Sequence, residues 1–401
     1  MKTTYKISMV AAAAALCASS AFAVDVGGIE FHGYSRGGPV LSYDDNTKGG
    51  LSLGGDMQKY RLGNEGDNGI EIDLIKNFEA NGIKWKVHYM PAKWNSGNIS
   101  TEQAYVEMSG LSFAPEAKFW AGQRRLRIQD VHIVDTFLMN YGDNQGAGVV
   151  DIGVGSAKLG LGVFSGDKFD TAMPTGVKAT RFNADVSEIK VNEGGKLRVL
   201  LTAVNGSGLK GGSTGSGISV SHNQENFLVK GMTNSLFVQS SKGHARIDGE
   251  FLAIDGVTAG QSVSRIADSL NWQNGAFGGQ TMLGYQTSQD DVSGVTTKDT
   301  SIGGRISYAF STNFKLLAEA GSTRRSVDGQ ADQSLNKITI APTISVGSDF
   351  WSRPEIRFYM TKANWNDAAA TANAGTLATP GFGANGKTST TIVGVQYEIW
   401  W

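Results

Sequence analysis

The chain has 401 residues, among them 53 Gly, 7 Pro and a single Cys, and its 36 Lys and Arg against 37 Asp and Glu leave a formal net charge of −1. A nucleic-acid partner would call for a basic surplus, and a disulfide scaffold for several cysteines, so both are excluded. Hydrophobic content is 40%, yet beyond the first residues no stretch approaches the roughly 20 apolar residues of a membrane-spanning helix.

The N-terminus reads as an export leader. Lys2 and Lys6 precede an apolar run from Met9 to Leu16, and Ala21-Phe22-Ala23 has the small-x-small pattern of a cleavage site. Cleavage after Ala23 divides the chain into a signal peptide at 1–23 and one mature domain at 24–401, inside which no composition break marks a second domain. Cys17 lies in the leader with Leu16 before it, where a lipoprotein signal wants a small residue. The mature domain therefore has no disulfide and no thiol chemistry.

Along the mature chain a period of two recurs. Ile83, Trp85, Val87 and Tyr89 alternate with Lys84, Lys86 and His88; Leu197, Val199, Leu201 and Ala203 alternate with Lys196, Arg198 and Thr202. The piece NGSGLKGGSTGSG at 205–217 then reads as a flexible loop. Its GGSTG string fits the G-x-S-x-G of hydrolases but lacks the strand-to-helix setting that motif needs. One apolar parity returns at Ile302, Ile306, Tyr308 and Phe310, at Phe314, Leu316, Ala318 and Ala320, at Ile338, Ile340, Pro342, Ile344 and Val346, and at Ile356, Phe358 and Met360. Each run is ~7 to 11 residues, the length of a tilted barrel strand. The histidines, His32, His88, His132, His222 and His244, show no metal-ligand spacing, and neither metal nor cofactor is expected.

Alternation alone says only that one face is buried, which suits a soluble β-sandwich, or a parallel β-helix if a fixed short repeat were present. No such repeat occurs. The ending TTIVGVQYEIWW favours a third architecture: Val393, Val395, Tyr397, Ile399 and Trp401 share one face, while Gln396, Glu398 and Trp400 share the other. A face that stays apolar to an aromatic last residue suits a strand ending at a lipid interface. The expected fold class is thus all-β, a transmembrane antiparallel β-barrel in the outer membrane of a Gram-negative cell, with membrane lipid around it.

Five segments, FHGYSRGG (31–38), QKYRLGNE (58–65), FWAGQRRLRIQDVHIVD (119–135), FWSRPEIRFYMTKANW (350–365) and VGVQYEIWW (393–401), resemble in that order the signature segments of maltoporins, the sugar-specific outer-membrane porins. The resemblance spans the mature chain and is loosest over about 165–300. It implies an 18-stranded barrel, assembly as a homotrimer, a third loop folded inward as a constriction, and diffusion of maltose, maltodextrin or related oligosaccharides without an energy source. It implies a channel and no enzyme. A non-specific diffusion porin has the same fold without a saturable sugar site, and a barrel hydrolase is the remoter rival.

In maltoporins a line of aromatic rings faces a track of charged residues. Pyranose rings have apolar faces for stacking and polar rims for ionised side chains. The resemblance places Tyr34, Trp351 and Trp400 on the aromatic line, and matches Trp94 to a loop tryptophan that the family lends to the neighbouring subunit's channel. Arg36 shares strand parity with Tyr34, and Arg61, Glu71, Asp130 and Asp135 fall on the ionic track, with Phe137 where the family narrows its channel with a tyrosine. Lumen ions that merely pair across the wall are the competing reading, above all for Arg61 and Glu71. Departures are Gly69 in place of a slide tyrosine, leaving a gap in the line, Ile128 and Glu102 in place of pore arginines, and Asn140 in place of an acidic residue. Arg125 and Arg127 are the nearest replacements for the lost positive charge. These changes bear on the preferred sugar more than on the fold.

Overall fold

A strand that is apolar on one side and polar on the other can cross a lipid bilayer only if every backbone group finds a partner, which requires the sheet to close. The computed structural model, which describes residues 24–25, 27–44, 47–376 and 381–401, is such a closed antiparallel barrel of 18 strands. The expected leader and its cleavage site lie outside the described residues. Strands β1 (Ile29–Gly37), β2 (Gly69–Ala80) and β3 (Ile83–Trp94) open the wall, while β17 (Glu355–Trp365) and β18 (Ser389–Trp400) end it. Each strand pairs with the next in sequence, and β18 returns to β1 with Tyr34 opposite Trp400 and Arg36 opposite Glu398, so no sheet edge remains open.

The barrel is built inside out relative to a soluble domain. Ile302, Phe310, Ile338 and Met360 stand exposed on the outer wall, whereas Arg181, Arg305, Arg357 and Lys315 are among the largest fully buried side chains. The period-two parity places all of them, because a pleated strand sends successive side chains to opposite faces. Aromatic pairs collect on the outside near the short turns: Phe78 stacks on Trp85 at 4.1 Å, Trp272 meets Phe277 at 5.8 Å, and Phe310 lies 5.2 Å from Tyr308 and 5.9 Å from Phe314. Such a girdle marks the lipid interface, and short turns mark the periplasmic end.

Trp401 belongs to this outer girdle. Its ring lies 5.3 Å from Phe31, and its backbone exchanges two hydrogen bonds of 3.1 Å with Gly33 across the closing seam. Gly33 must be glycine here, since a Cβ would come within 2.4 Å of the indole. Deleting Trp401 is therefore expected to lower the yield of assembled barrel while leaving single-channel conductance of the assembled fraction unchanged. Normal yield on a heat-modifiability gel would count against this role.

Loop folding goes beyond the sequence-based expectation of one inward loop. Residues 124–144 do form it, as a hairpin of Arg127–Val131 on Thr136–Asn140. Two further segments join it in the lumen. Within the segment between β1 and β2, Leu51, Leu53 and Leu62 are buried, the Leu62 N–H donates to Glu319 at 2.9 Å, and Lys337 donates to the Leu62 carbonyl at 2.7 Å. Within residues 244–260, the Asp248 carbonyl accepts from the Asn140 N–H at 2.8 Å, and Glu250 accepts from the Asn140 amide at 2.5 Å. A carboxylate from another loop thus stands beside the asparagine that departs from the family pattern.

Candidate functional site

The closing seam sets the site. Two inward-facing rows cross it: Trp400, Tyr34 and Glu71 are neighbours in one, and Glu398, Arg36, Gly69 and Trp94 in the next. The inward hairpin and the 51–67 segment face these rows across a cavity of about 780 Å³. All of the residues singled out from the sequence line that cavity: Tyr34, Trp94, Trp351, Trp400, Arg36, Arg61, Glu71, Asp130, Asp135 and Phe137. Glu102, Arg125, Arg127 and Ile128 line it as well. Phe237 is fully buried within an apolar cluster and does not line it.

The rings descend toward the periplasmic end. Trp94 stands one inward row above Tyr34, with ring centroids 6.3 Å apart; Trp400 lies beside Tyr34, and Trp351 sits on the turn before β17. The expected gap at Gly69 does not exist. A Cβ there would fall 2.1 Å from a Trp94 ring carbon, so the indole of the same chain covers the glycine. Trp351 is held by a 3.2 Å hydrogen bond from its indole N–H to Asn271. The Arg353 guanidinium lies 4.3 Å from the Trp400 ring centroid.

The charges are unevenly paired. Arg61 meets Glu65 at 3.0 Å and Glu398 at 2.9 Å, and donates to the Tyr34 hydroxyl at 2.9 Å; that hydroxyl donates to Glu398 at 2.9 Å. Arg36 meets Glu65 at 2.8 Å and Asp67 at 2.7 Å. Asp135 is ringed by Lys59 at 2.9 Å, Arg36 at 3.4 Å and Arg61 at 3.7 Å. Burial alone would raise its pKa, but Arg61, Lys59 and Arg36 outweigh that and hold it well below the ordinary carboxylate range. Glu71 pairs with Arg125 at 2.9 Å, and Arg125 also reaches Glu102 and, at 3.4 Å, Asp143.

Asp130 differs from all of these. It forms no ion pair among the described residues, and it stands directly across the hairpin from Phe137, over whose ring Arg127 lies at 4.9 Å. Burial pushes its carboxyl up to about 6, against the pull of Arg61. His132 went unselected in the sequence although it lies between the two aspartates. Its ring is 5.3 Å from Trp351 and 6.0 Å from Trp400, and burial, aided by Arg61, drives its pKa well below the usual imidazole range. A neutral ring joining two tryptophans has no local sequence signal, because the contact depends on the hairpin's place in the barrel.

Comparison with known proteins places the barrel in a family. The sequence fits the profile of LamB porins over residues 29–401. The chain belongs to the LamB porin family. LamB porins are outer-membrane barrels, so the family and the fold indicate a channel rather than an enzyme, in the outer membrane of a Gram-negative cell. The chain is 28% identical to the maltoporin of Vibrio cholerae serotype O1, covering 100% of this chain and 99% of that protein, and 26% identical to the maltoporin of Hahella chejuensis with the same coverage. In fold it is similar to a BenF-like porin from Pseudomonas fluorescens Pf-5, with a TM-score of 0.50, 8% identity and coverage of 94% of this chain and 100% of that chain. OpdK from Pseudomonas aeruginosa gives 0.50 and 11% identity, covering 93% of this LamB porin and 98% of that chain.

Proposed function

We propose that this protein is a sugar-specific channel through which maltose, maltodextrins or related oligosaccharides diffuse across the outer membrane, working as a homotrimer with one pore per barrel. The observation that carries the reading is the descending line of Trp94, Tyr34, Trp400 and Trp351 in one cavity with Asp130, Glu71 and the arginines. Each ring offers a flat apolar surface to a pyranose face, while the charged groups exchange hydrogen bonds with its hydroxyl rim. Several weak sites in series let a sugar step from one to the next without being trapped. The ions that pair with one another hold the rings and the constriction in place; Asp130, which forms no ion pair among the described residues, is the carboxylate left to accept a hydroxyl. The curated relatives named maltoporin point to the same solute class.

The test is the ion current through single trimers in a planar bilayer. Small saccharides should block it saturably, whereas an unselective porin shows no saturation. Trp400→Ala removes a stacking surface worth ~0.5 to 1.5 kcal/mol beyond its area, so the half-blocking concentration should rise several-fold. If no sugar in a broad panel blocks the wild-type channel, the sugar-specific reading fails.

A further inference from the structure

Below the inward hairpin lies a second cavity, of about 310 Å³, which adjoins the first and shares Arg125, Arg127 and Ile128 with it. Its barrel wall comes from the strands Gln145–Val154, Ala157–Ser165, Lys178–Asn192 and Gly195–Ser207, near the short turns at 155–156 and 193–194. It therefore stands on the periplasmic side of the constriction. The charge of the lumen reverses between the two cavities. In the upper one four arginines face five carboxylates; in the lower one Arg124, Arg125, Arg127, Lys158 and Arg198 face only Asp151 and Asp185.

The carboxylates that hold these cations are shared. Asp151 serves Lys118 at 2.7 Å and Lys158 at 3.2 Å, Asp143 serves Arg125 at 3.4 Å and Arg127 at 3.7 Å, and Glu107 serves Arg124 at 2.9 Å and Lys86 at 3.3 Å. Only Arg125 has further partners, in Glu71 and Glu102. Asp185 accepts two hydrogen bonds from Arg198, of 2.7 and 2.5 Å, yet the guanidinium is the outer member of the pair, with 29% of its side chain exposed against 5% for the carboxylate. A guanidinium carries more N–H donors than one carboxylate can accept, so donors remain for a group in the cavity.

We propose that the lower cavity is an anion site and that the solutes of this channel include oligosaccharides bearing an acidic group, a carboxylate or a phosphate or sulfate ester. Arg124, Arg127, Lys158 and Arg198 hold its anionic oxygens while the sugar rings lie on the aromatic line above. Arginine suits such groups because its planar fork matches two of their oxygens at once. The inference rests on the sugar-channel reading for the rings, and on the charge reversal for the acidic group.

The test compares block of the single-trimer current by maltose, by maltobionic acid and by a phosphate monoester of maltose. In about 0.1 M salt both acidic sugars should half-block at about one-tenth of the maltose concentration, and in about 1 M salt that advantage should shrink to about twofold as the charges are screened. Lys158→Gln leaves Asp151 with Lys118, and Arg127→Gln leaves Asp143 with Arg125, so neither substitution orphans a carboxylate. Lys158→Gln should raise the half-blocking concentration of the acidic sugars about threefold and leave that of maltose unchanged. The double variant should bring all three sugars together. Acidic sugars that block no better than maltose would overturn the proposal while leaving the sugar channel intact, and so would an acidic preference that survives the double variant. Inorganic phosphate blocking as strongly as the maltose ester would reduce the cavity to a site for bare ions and also sink the idea. If maltose fails to block but the acidic sugars block and lose their effect in the double variant, the reading of maltose as solute falls and the acidic-sugar site stands.

Discussion

Asp130→Ala is expected to raise the half-blocking saccharide concentration by on the order of 10- to 100-fold, the loss of one charge-assisted hydrogen bond of ~1.5 to 3 kcal/mol. The carboxylate lines the cavity opposite Phe137, so one hairpin rung presents a ring for a pyranose face beside an acceptor for its hydroxyls. Asp135, which the sequence alone ranks equally with Asp130, should behave differently. Its oxygens already face Lys59, Arg36 and Arg61, so Asp135→Ala is expected to shift ion selectivity toward anions with a smaller effect on sugar block. The pH profile separates the two further. Burial raises the Asp130 pKa to about 6, and the ionised form is the acceptor, so sugar affinity should fall as pH drops through about 6 and be complete above it. Asp130→Asn should flatten that profile. A variant with changed selectivity and unchanged sugar affinity would show that Asp130 serves ions only.

The largest effect on stability is expected at Glu398. This side chain is fully buried and meets Arg61 at 2.9 Å and Arg353 at 2.8 Å, pairs with Arg357, and accepts from the Tyr34 hydroxyl at 2.9 Å. Removing one partner from a buried ionic network leaves its counter-charges uncompensated, a loss of about 3 to 5 kcal/mol. Glu398→Ala should therefore lower the unfolding midpoint of the barrel in detergent and loosen the inward 51–67 segment, which Arg61 ties to β18. The released segment should appear as excess noise in the open-channel current. An unchanged midpoint would mean that Glu65 and Glu355 suffice to hold the three arginines.

Much of this protein is decided by the order of its residues. The outward parity of Ile302 to Phe310, Ile338 to Ile344 and Val393 to Trp401 is a local property of a pleated strand, and it already requires lipid on one side and a polar lumen on the other. The same local rule turns Tyr34, Arg36, Trp400 and Glu398 inward. Only the closed sheet decides which of these meet, since Tyr34 and Glu398 touch across 364 positions of sequence and the register of the seam has no local signal. The inward folding of the 51–67 and 244–260 segments is likewise tertiary, because aperiodic loops acquire their shape from wall partners such as Glu319, Lys337 and Asn183. So is the difference between Asp135, which is ion-paired, and Asp130, which forms no ion pair among the described residues, and so is the seat that Gly69 gives Trp94: residue type and spacing set which groups can enter a lumen, but distance across it sets which of them remain free to hold a solute.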